Sequence, residues 1–279
     1  MTHPPLLGIC RFSFLGRCDW RIWGAKDRSE AEIRAELART LYQPTRMEPR
    51  FWTFEHLLLN SLKAQTDPNF AFLVLTSPDL PAPMCARLQD LCAPLPQVDL
   101  LISDAESVSD AIRPHISHLE EIYGERPVQF RIDDDDCLSP DYIERLRHMM
   151  NRMAGLQPIT YSRARGLVLS LYEGEPVGYY DLNRPYHSAG AALRPPRGKT
   201  IFDFGHFRLQ RRFTGITDLK GFGSLALKYD GHDASRIDPD EGKPGHTRID
   251  AKAFTQIMDE HFPFLAQVDF NDLRGLLAP

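Results

Sequence analysis

Apolar and polar positions in the first half of the chain follow two alternating patterns. The first pattern consists of continuous apolar runs, typical of strands covered on both faces of a sheet, at 6–16, 70–77, 98–103 and 128–132. The second repeats apolar residues every three or four positions, as amphipathic helices do, at 29–42, 50–65, 82–92, 107–124 and 139–153. Ser29 and Ser139 are the expected N-caps of two of these helices. The order strand, helix, strand predicts a mostly parallel central sheet with helices on both sides.

The second half of the chain has a different pattern. Residues 158–180 are rich in strand formers, with turn signals at Gly166 and Gly174, and predict an antiparallel hairpin or meander. The remaining elements expected there are a polar loop at 182–199, a strand at 224–231 and a helix at 248–262. We therefore predict a single α/β domain over residues 1–279, in which 1–156 form a nucleotide-type sheet and 157–279 complete a substrate cleft.

Composition narrows the classes of protein that fit this pattern. The chain has 279 residues and a formal net charge of -5, with its 33 basic residues spread along it, so no nucleic-acid groove is expected. No apolar run approaches the roughly 20 residues of a membrane span, and we expect neither a signal peptide nor a transmembrane segment. The five cysteines form no Cys-x-x-Cys pair, which predicts buried thiols in a cytoplasmic protein rather than zinc or disulfides.

The segment "FRIDDDDCLSPDYIERL" (130–146) places four aspartates, Asp133–Asp136, directly after an apolar strand. Ligands of open α/β sheets bind beyond the carboxyl ends of the strands, which is where these acids lie. Crowded carboxylates repel one another unless a cation joins them. Mg²⁺ or Mn²⁺, which prefer oxygen ligands, bridge one or two carboxylates to substrate phosphates. The pattern predicts a divalent cation that holds a nucleoside diphosphate and stabilises it as a leaving group.

Other interpretations of the acids remain open from the residues alone. They are compatible with a charged surface loop that binds nothing. An EF-hand calcium loop fits less well, because Leu138 stands where the loop needs glycine and because a strand precedes the acids. A nucleotidyltransferase or a metal-dependent phosphohydrolase also uses aspartates on metal-bound phosphates, usually from several strand ends.

Four segments of the chain resemble a known family. The segment "RIDDDDCLSPDYI" resembles the Asp-x-Asp motif of GT-A glycosyltransferases, and the chain as a whole resembles the bacterial rhamnosyltransferase family. The matching segments are "CRFSF" (10–14), "RFWTFEHLLLNSLKAQTDPNFAFLVLTS" (50–77), "FRIDDDDCLSPDYI" (130–143) and, more weakly, "SLALKYDGHDAS" (224–235). The resemblance implies a GT-A-like, Rossmann-like fold with a smaller antiparallel acceptor-side region. It also implies a nucleotide-sugar donor in the first half and a Mn²⁺ or Mg²⁺ cofactor.

The resemblance assigns roles to individual residues at the donor end. Asp133 and Asp135 match the Asp-x-Asp pair, the first meeting the donor and the second the metal, with Asp136 as a further metal ligand. Arg11 matches an arginine of the opening strand, where the nucleotide binds. Arg131 is expected to balance the acids or to touch the donor, and a plain salt bridge explains it as well. Asp134 fills the variable slot of the motif and has the weakest case.

A departure from the family pattern occurs near the end of the matched region. The family often has a histidine as a further metal ligand, and Asp230 stands at that position here, with His232 two residues later. Asp230 is slightly favoured of these two candidates, because aspartate is an acceptable ligand for a hard metal ion.

The catalytic base is expected in the second half of the chain. The candidates are Asp203, which lies among apolar residues, and Asp218, with Asp181 as a further acid. Each of them is also explained as a cap or a solvent-facing carboxylate, and His187 and His206 are more often structural than catalytic. Aromatic residues that could line an acceptor cleft are Tyr179, Tyr180 and Tyr186.

The predicted function is therefore a metal-dependent glycosyltransferase of the hexosyltransferase type. It moves a sugar, rhamnose by the family name, from a nucleoside-diphosphate sugar to a glycan or glycolipid acceptor in polysaccharide biosynthesis. Peripheral association with a membrane is compatible with such an acceptor. The alternatives are a nucleotidyltransferase that makes an activated sugar, and a non-catalytic module that binds carbohydrate or calcium.

Overall fold

A computed structural model describes residues 5–17, 20, 28–230, 236–238 and 243–277. The strands of these residues are β1 (Leu6–Arg11), β2 (Ala71–Thr76), β3 (Val98–Ile102), β4 (Val128–Arg131), β5 (Asp136–Leu138), β6 (Ile159–Arg163), β7 (Arg165–Leu171), β8 (Gly178–Asn183), β9 (Ala191–Arg194), β10 (Thr214–Asp218), β11 (Ser224–Tyr229) and β12 (His246–Arg248). The helices are α1 (Glu30–Leu41), α2 (Pro44–Thr53), α3 (Asn60–Lys63), α4 (Ala82–Cys92), α5 (Val108–Tyr123), α6 (Tyr142–Arg152), α7 (Leu209–Arg212), α8 (Ala251–His261) and α9 (Phe270–Leu277). A π-helical segment, Phe54–Leu59, joins α2 to α3.

The first sheet has seven strands in the order β10-β6-β9-β4-β1-β2-β3. All of them run in one direction except β9, which pairs antiparallel with both β4 and β6. Helices cover both faces of this sheet. Helix α5 packs Ile112 and Ile116 against Leu7 and Ile9 on one face, and α1 and α6 contribute to the core on the other.

The second sheet has five strands in the order β12-β8-β7-β11-β5. Its β11 and β7 are parallel, while β5, β8 and β12 pair antiparallel with their neighbours. One face packs Leu167, Leu225 and Leu227 under residues of α8 and α9, including Phe254 and Leu273. The other face carries Val168, Leu182 and Ala226 and faces a cleft.

These observations confirm the predicted α/β class, with a mostly parallel sheet between helices. The antiparallel pairing expected in the second half is present, but in a separate sheet. No helix in the described part of the chain is long and apolar enough to cross a bilayer.

Three local predictions were wrong. Gly166 is not a turn but lies within β7, where a Cβ would come 2.8 Å from the backbone oxygen of Ser224. Strand β9 lies in the segment predicted to be a loop, because four residues carry too little pattern to be recognised. Ser139 does not cap α6. Asp141 precedes that helix, and Ser139 Oγ donates a hydrogen bond to an Asp141 carboxylate oxygen (2.7 Å).

Gly8 allows two aromatic rings to pack across the centre of the first sheet. It pairs with Phe72 on one side and Phe130 on the other, and the two ring centroids are 6.1 Å apart. A Cβ at position 8 would lie 2.3 Å from Phe72 Cδ2 and 2.4 Å from Phe130 Cζ. Any side chain there must displace rings that are fully buried.

A buried ion pair fixes α6 to the edge strand β10. The guanidinium of Arg145 donates to Asp218 Oδ2 from Nη2 (2.6 Å) and Nε (3.0 Å). Asp218 also accepts hydrogen bonds from the Tyr161 hydroxyl (3.1 Å) and the Lys220 N–H (3.0 Å). Burial alone would raise the pKa of Asp218, but these donors and the Arg145 charge outweigh it and hold the pKa below its usual value.

We expect Gly8→Ala to destabilise the protein by about 1–3 kcal/mol, because the added methyl overpacks a rigid core. The measurement is the free energy of urea-induced unfolding. Gly275→Ala is the matched control. Nothing lies within 4 Å of a Cβ there, and the position is inside α9, so alanine should be neutral or stabilising by up to about 1 kcal/mol. Equal effects of the two substitutions would contradict the proposed packing.

We expect Asp218→Asn to lower the free energy of unfolding by about 2–4 kcal/mol at pH 7, because Arg145 loses its buried partner. The contribution of a carboxylate with a depressed pKa is complete above its unfolded pKa of about 4 and is lost as the pH falls through the folded value. The difference between wild type and variant should therefore shrink below about pH 4. Asp181→Asn breaks the more exposed pair with Arg165 and should cost less than about 1 kcal/mol.

Candidate active site

The four aspartates form the connection between the two sheets. Strand β4 belongs to the first sheet and β5 to the second, so the chain crosses between them at Asp133–Asp136, called here the aspartate turn. The Ile132 N–H donates to the Ile9 carbonyl (3.2 Å), and the Asp136 N–H donates to the Asp133 carbonyl (3.3 Å). Asp136 then pairs with Ala226 of β11. The turn is therefore fixed by backbone pairing at both ends.

A cleft of about 750 Å³ opens at this crossing. It lies at the carboxyl ends of β1 and β4 and against the open face of the second sheet, with Val168, Leu182 and Ala226 as its apolar floor. Its ionisable lining comprises all four aspartates of the turn, six cations and three histidines: Arg11, Arg50, Arg131, Arg184, Lys228, Lys243, His187, His206 and His246. Among the described residues the cleft therefore has more basic than acidic groups, although the chain as a whole is acidic.

Asp133 lies between two arginines of adjacent strands. Arg11 Nη2 donates to Asp133 Oδ1 over 3.3 Å, and the guanidinium groups of Arg11 and Arg131 lie 5.6 and 4.8 Å from the ring centre of Phe202. Burial would raise the pKa of Asp133, but the charges of Arg11 and Arg131 and the hydrogen bond from Arg11 lower it well below its usual value. Asp133 is thus ionised at neutral pH, beside two cations that face the cleft.

Asp134 is neutralised by an arginine that the sequence did not suggest. Arg50 of α2 donates to it from Nε (2.9 Å) and Nη2 (3.2 Å), and only 1% of the Asp134 side chain is exposed. This two-pronged pairing is the strongest geometry for an arginine and a carboxylate. Nothing in the local pattern connects positions 50 and 134, because the contact exists only once α2 packs beside the turn.

Asp136 is the least compensated acid of the turn. It is 2% exposed, Ser188 Oγ donates weakly to its Oδ2 (3.4 Å), and no described group hydrogen-bonds its Oδ1. Burial and then the neighbouring Asp135 charge raise its pKa well above the usual value, although Lys228 opposes this. The ionised form of Asp136 is therefore disfavoured in the absence of a bound cation.

The donor set at Asp135 and Asp136 fits a hard divalent cation. The two carboxyls are adjacent and buried, and an oxygen of Asp136 is left without a hydrogen bond among the described residues. Within those residues, however, no three His, Cys, Asp or Glu side chains lie close enough to hold a metal by themselves. Two carboxylates completed by substrate phosphates and water are the usual arrangement for Mg²⁺.

Of the other metal ligands expected from the sequence, Asp230 does not line the cleft. One of its oxygens accepts from the Glu173 N–H (2.7 Å) and the other from the Arg236 guanidinium. Asp230 follows the end of β11, and its hydrogen bond with Glu173 holds its side chain at the β7–β8 turn rather than beside Asp135 and Asp136. His232 lies outside the described residues.

Neither residue proposed as the catalytic base lies in the cleft. Asp203 is exposed and caps a short helical turn, where its carboxylate accepts from the Thr200 N–H (2.7 Å). Its apolar sequence neighbours face the core while its own side chain does not. Asp218 is occupied by Arg145, and Asp181 pairs with Arg165 (2.7 Å). These three carboxylates therefore form structural hydrogen bonds and ion pairs outside the cleft.

The tyrosines considered for an acceptor cleft are also structural. Tyr179 stacks on Phe254 with ring centroids 5.0 Å apart, and Tyr186 is 1% exposed with its hydroxyl 2.8 Å from Thr160 Oγ1. Tyr180 is buried in the cluster of Val168 and Leu182.

His187 and His206, expected from the sequence to be structural more often than catalytic, line the cleft. His187 Nε2 lies 3.2 Å from Ser224 Oγ, and burial lowers the pKa of His187 to about 3. Burial and the Arg131 charge lower the pKa of His206 to about 4. Both imidazoles are thus neutral at pH 7. As isolated histidines they carried no spacing signal, and only the fold brings them together.

Comparison with solved structures gives weak similarities. A Staphylococcus aureus structure titled TarS 1-349 in complex with UDP has 11% identity and a TM-score of 0.36, over 98% of this chain and 70% of that one. A putative glucose-1-phosphate thymidylyltransferase from Bacillus anthracis, in complex with a sucrose, has 12% identity and a TM-score of 0.35, over 97% and 99%. These TM-scores are below 0.5 and do not establish a shared fold. None of the curated proteins compared with the chain matches it.

A family model matches most of the chain. The model described as "Putative rhamnosyl transferase" matches residues 5–241, which include β1, the aspartate turn and the strands β7, β8 and β11 of the cleft. The predicted class of enzyme is confirmed by this match. Because this match extends over most of the chain, the chain belongs to the rhamnosyl transferase family and is a glycosyltransferase.

Proposed function

We propose that the protein transfers a sugar from a nucleoside-diphosphate sugar to a hydroxyl of a glycan or glycolipid, with a divalent cation at the aspartate turn. The observation that carries the proposal is the position of Asp133–Asp136 at the crossing between the sheets, inside a cleft with an excess of cations. Rhamnose, named in the family description, is the first sugar to test.

The end of the cleft near β1 and β4 suits the nucleoside diphosphate. Arg11 and Arg131 present guanidinium groups there, and guanidinium groups bind phosphate oxygens in two-pronged geometry. Their present partner Asp133 is partly exposed, at 32% of its side chain, so it can also bind a sugar or ribose hydroxyl. Attraction of an anionic donor into this cleft is favourable at neutral pH.

Asp135 and Asp136 would hold Mn²⁺ or Mg²⁺ against the diphosphate. When bound, such an ion stabilises the negative charge that develops on the leaving diphosphate. Asp136 must lose its proton to bind a cation, so binding is expected to strengthen as the pH rises. Lys228, whose charge already lowers the pKa of Asp136, would add a fixed positive charge on the adjacent strand β11.

Besides the metal site, the proposed reaction requires a base that accepts the proton of the acceptor hydroxyl. An acceptor hydroxyl attacks the anomeric carbon, the bond from that carbon to the diphosphate oxygen breaks, and the hydroxyl proton passes to a base. Asp203 and Asp218 are outside the cleft, so the described proton acceptors that line it are the neutral histidines and the aspartates of the turn. The apolar floor of Val168, Leu182 and Ala226 offers a surface on which an acceptor sugar can lie.

We expect nucleoside diphosphates to raise the melting temperature only when Mn²⁺ or Mg²⁺ is present. Ligand at about 100 times its dissociation constant stabilises by about 2.7 kcal/mol, which corresponds to a shift of about 3–6 °C for a chain of this size. The measurement is a thermal-shift screen of UDP, dTDP, GDP and the corresponding triphosphates with and without metal. No response to any of them would contradict the proposal. A response to triphosphates alone would favour a nucleotidyltransferase.

We expect three aspartate variants to separate the roles of the turn. Asp135→Asn and Asp136→Asn should abolish the metal-dependent shift. Asp136→Asn should leave the melting temperature of the ligand-free protein unchanged or higher, because the amide replaces a buried acid whose ionised form is disfavoured by burial and by Asp135.

Asp134→Asn is the matched control in the same turn. It should lower the melting temperature, because Arg50 loses its buried partner, and should keep the metal-dependent shift. Loss of the shift in Asp134→Asn, with retention in Asp135→Asn, would reverse the assignment of the metal ligands.

A further inference from the structure

A second group of basic residues lies at the far end of the cleft from the aspartate turn. It consists of Arg184, Lys243 and His246, called here the cationic end. The residues are held together by backbone pairing. The Asn183 N–H donates to the Gly245 carbonyl (2.7 Å), and Lys243 forms an isolated bridge with His246. A Cβ on Gly245 would lie 3.2 Å from Arg184 Cβ, so the two segments are in direct contact.

The cationic end is well separated from the acids. Asp136 is on β5 and His246 on β12, and the strands between them are β11, β7 and β8. Four strand spacings of about 4.8 Å place the two edges about 19 Å apart. A diphosphate, with two phosphorus atoms joined by one oxygen, is far shorter than this distance. One diphosphate held by the aspartate turn therefore cannot also reach His246, although Arg184, which follows β8, lies nearer to the turn.

Arg184 forms no ion pair with a carboxylate of the described residues. Its guanidinium lies 4.1 Å from the ring centre of Phe207. Burial and then the charges of Lys228 and Arg184 lower the pKa of Lys243. Burial and the charges of Lys243, Arg184 and Lys228 lower the pKa of His246, although its hydrogen bond with the Pro244 backbone opposes this shift. The repulsion among these groups is relieved when an anion binds between them.

Lys228 lies between the two ends. It is on β11, one of the strands between β5 and β12, and it lowers the pKa of Asp136 on one side and of Lys243 on the other. Between it and the cationic end lies the apolar floor of Leu182 and Val168. A molecule that spans the cleft would thus meet the turn, a surface suited to a sugar ring, and then a site for an anion.

We propose that the acceptor carries an anionic group, a phosphate or a carboxylate, and that Arg184, Lys243 and His246 bind this group while its hydroxyl faces the donor. The identification of the bound molecule as the acceptor rests on the proposed glycosyl transfer. The anion site itself rests on the positions of these three residues and on the charges of Arg184 and Lys243. It restricts the acceptor class from glycans in general to anionic ones.

The test uses glucose 6-phosphate and glucose as a pair of probes that differ only in the anion. Binding to the full chain is measured by calorimetry, with and without UDP and Mn²⁺. The wild type should bind glucose 6-phosphate at least about tenfold more tightly than glucose, since hydrogen bonds to charged groups contribute this much or more. The preference should weaken as salt is raised.

The double variant Arg184→Gln/Lys243→Gln should lose this preference and keep the affinity for UDP with Mn²⁺. Arg211→Gln/Lys252→Gln is the matched control. It removes one arginine and one lysine from exposed positions that do not line the cleft, and it should behave as the wild type. Arg184→Lys/Lys243→Arg keeps both charges and should retain most of the preference, which separates charge from folding.

Two results would overturn the inference. One is a preference for glucose 6-phosphate that is absent in the wild type or that persists in Arg184→Gln/Lys243→Gln. The other is a loss of UDP affinity in that variant as large as its loss of glucose 6-phosphate affinity, which would assign the cations to the donor. If neither the wild type nor the variants bind UDP, but the preference for glucose 6-phosphate over glucose still depends on Arg184 and Lys243, the anion site is supported and the proposed glycosyl transfer fails.

Discussion

Charge compensation of four adjacent aspartates is the interaction on which the rest of the structure depends. The carboxylates would repel one another in so tight a turn, and three of them are stabilised in different ways. Arg50 pairs with Asp134, Arg11 and Arg131 keep Asp133 ionised, and the pKa of Asp136 is raised by burial and by Asp135. The arginines come from α2, β1 and β4, so the turn forms only when these elements have packed together.

The same compensation creates the functional asymmetry of the cleft. Asp134 is saturated by its arginine, whereas Asp136 keeps an oxygen with no described hydrogen-bond donor. Burial and the neighbouring Asp135 charge raise the pKa of Asp136, and a bound cation would favour its ionised form. Asp136 therefore lies where the proposed reaction needs a cation.

The crossing between the sheets gives the cleft its length. Because β5 is the edge of the second sheet, the acids lie at one side of a five-stranded surface and the cationic end at the other. An enzyme that joins two substrates needs both sites on one rigid surface, and backbone pairing across β5, β11, β7, β8 and β12 supplies that rigidity. The glycosyltransferase family of the chain and the two-ended charge pattern are consistent with each other.

The sequence by itself determined the alternating strands and helices of the first half and the placement of Asp133–Asp136 after a buried strand. These features follow from local periodicity, which a linear pattern records. Only the tertiary structure decided that Arg50 neutralises Asp134, that Asp203 and Asp218 serve as a cap and an ion pair, and that Arg184 meets Lys243. Apart from the local cap at Asp203, those contacts join residues far apart in the chain. Their partners are fixed by sheet order and helix packing, which no spacing of residue types encodes.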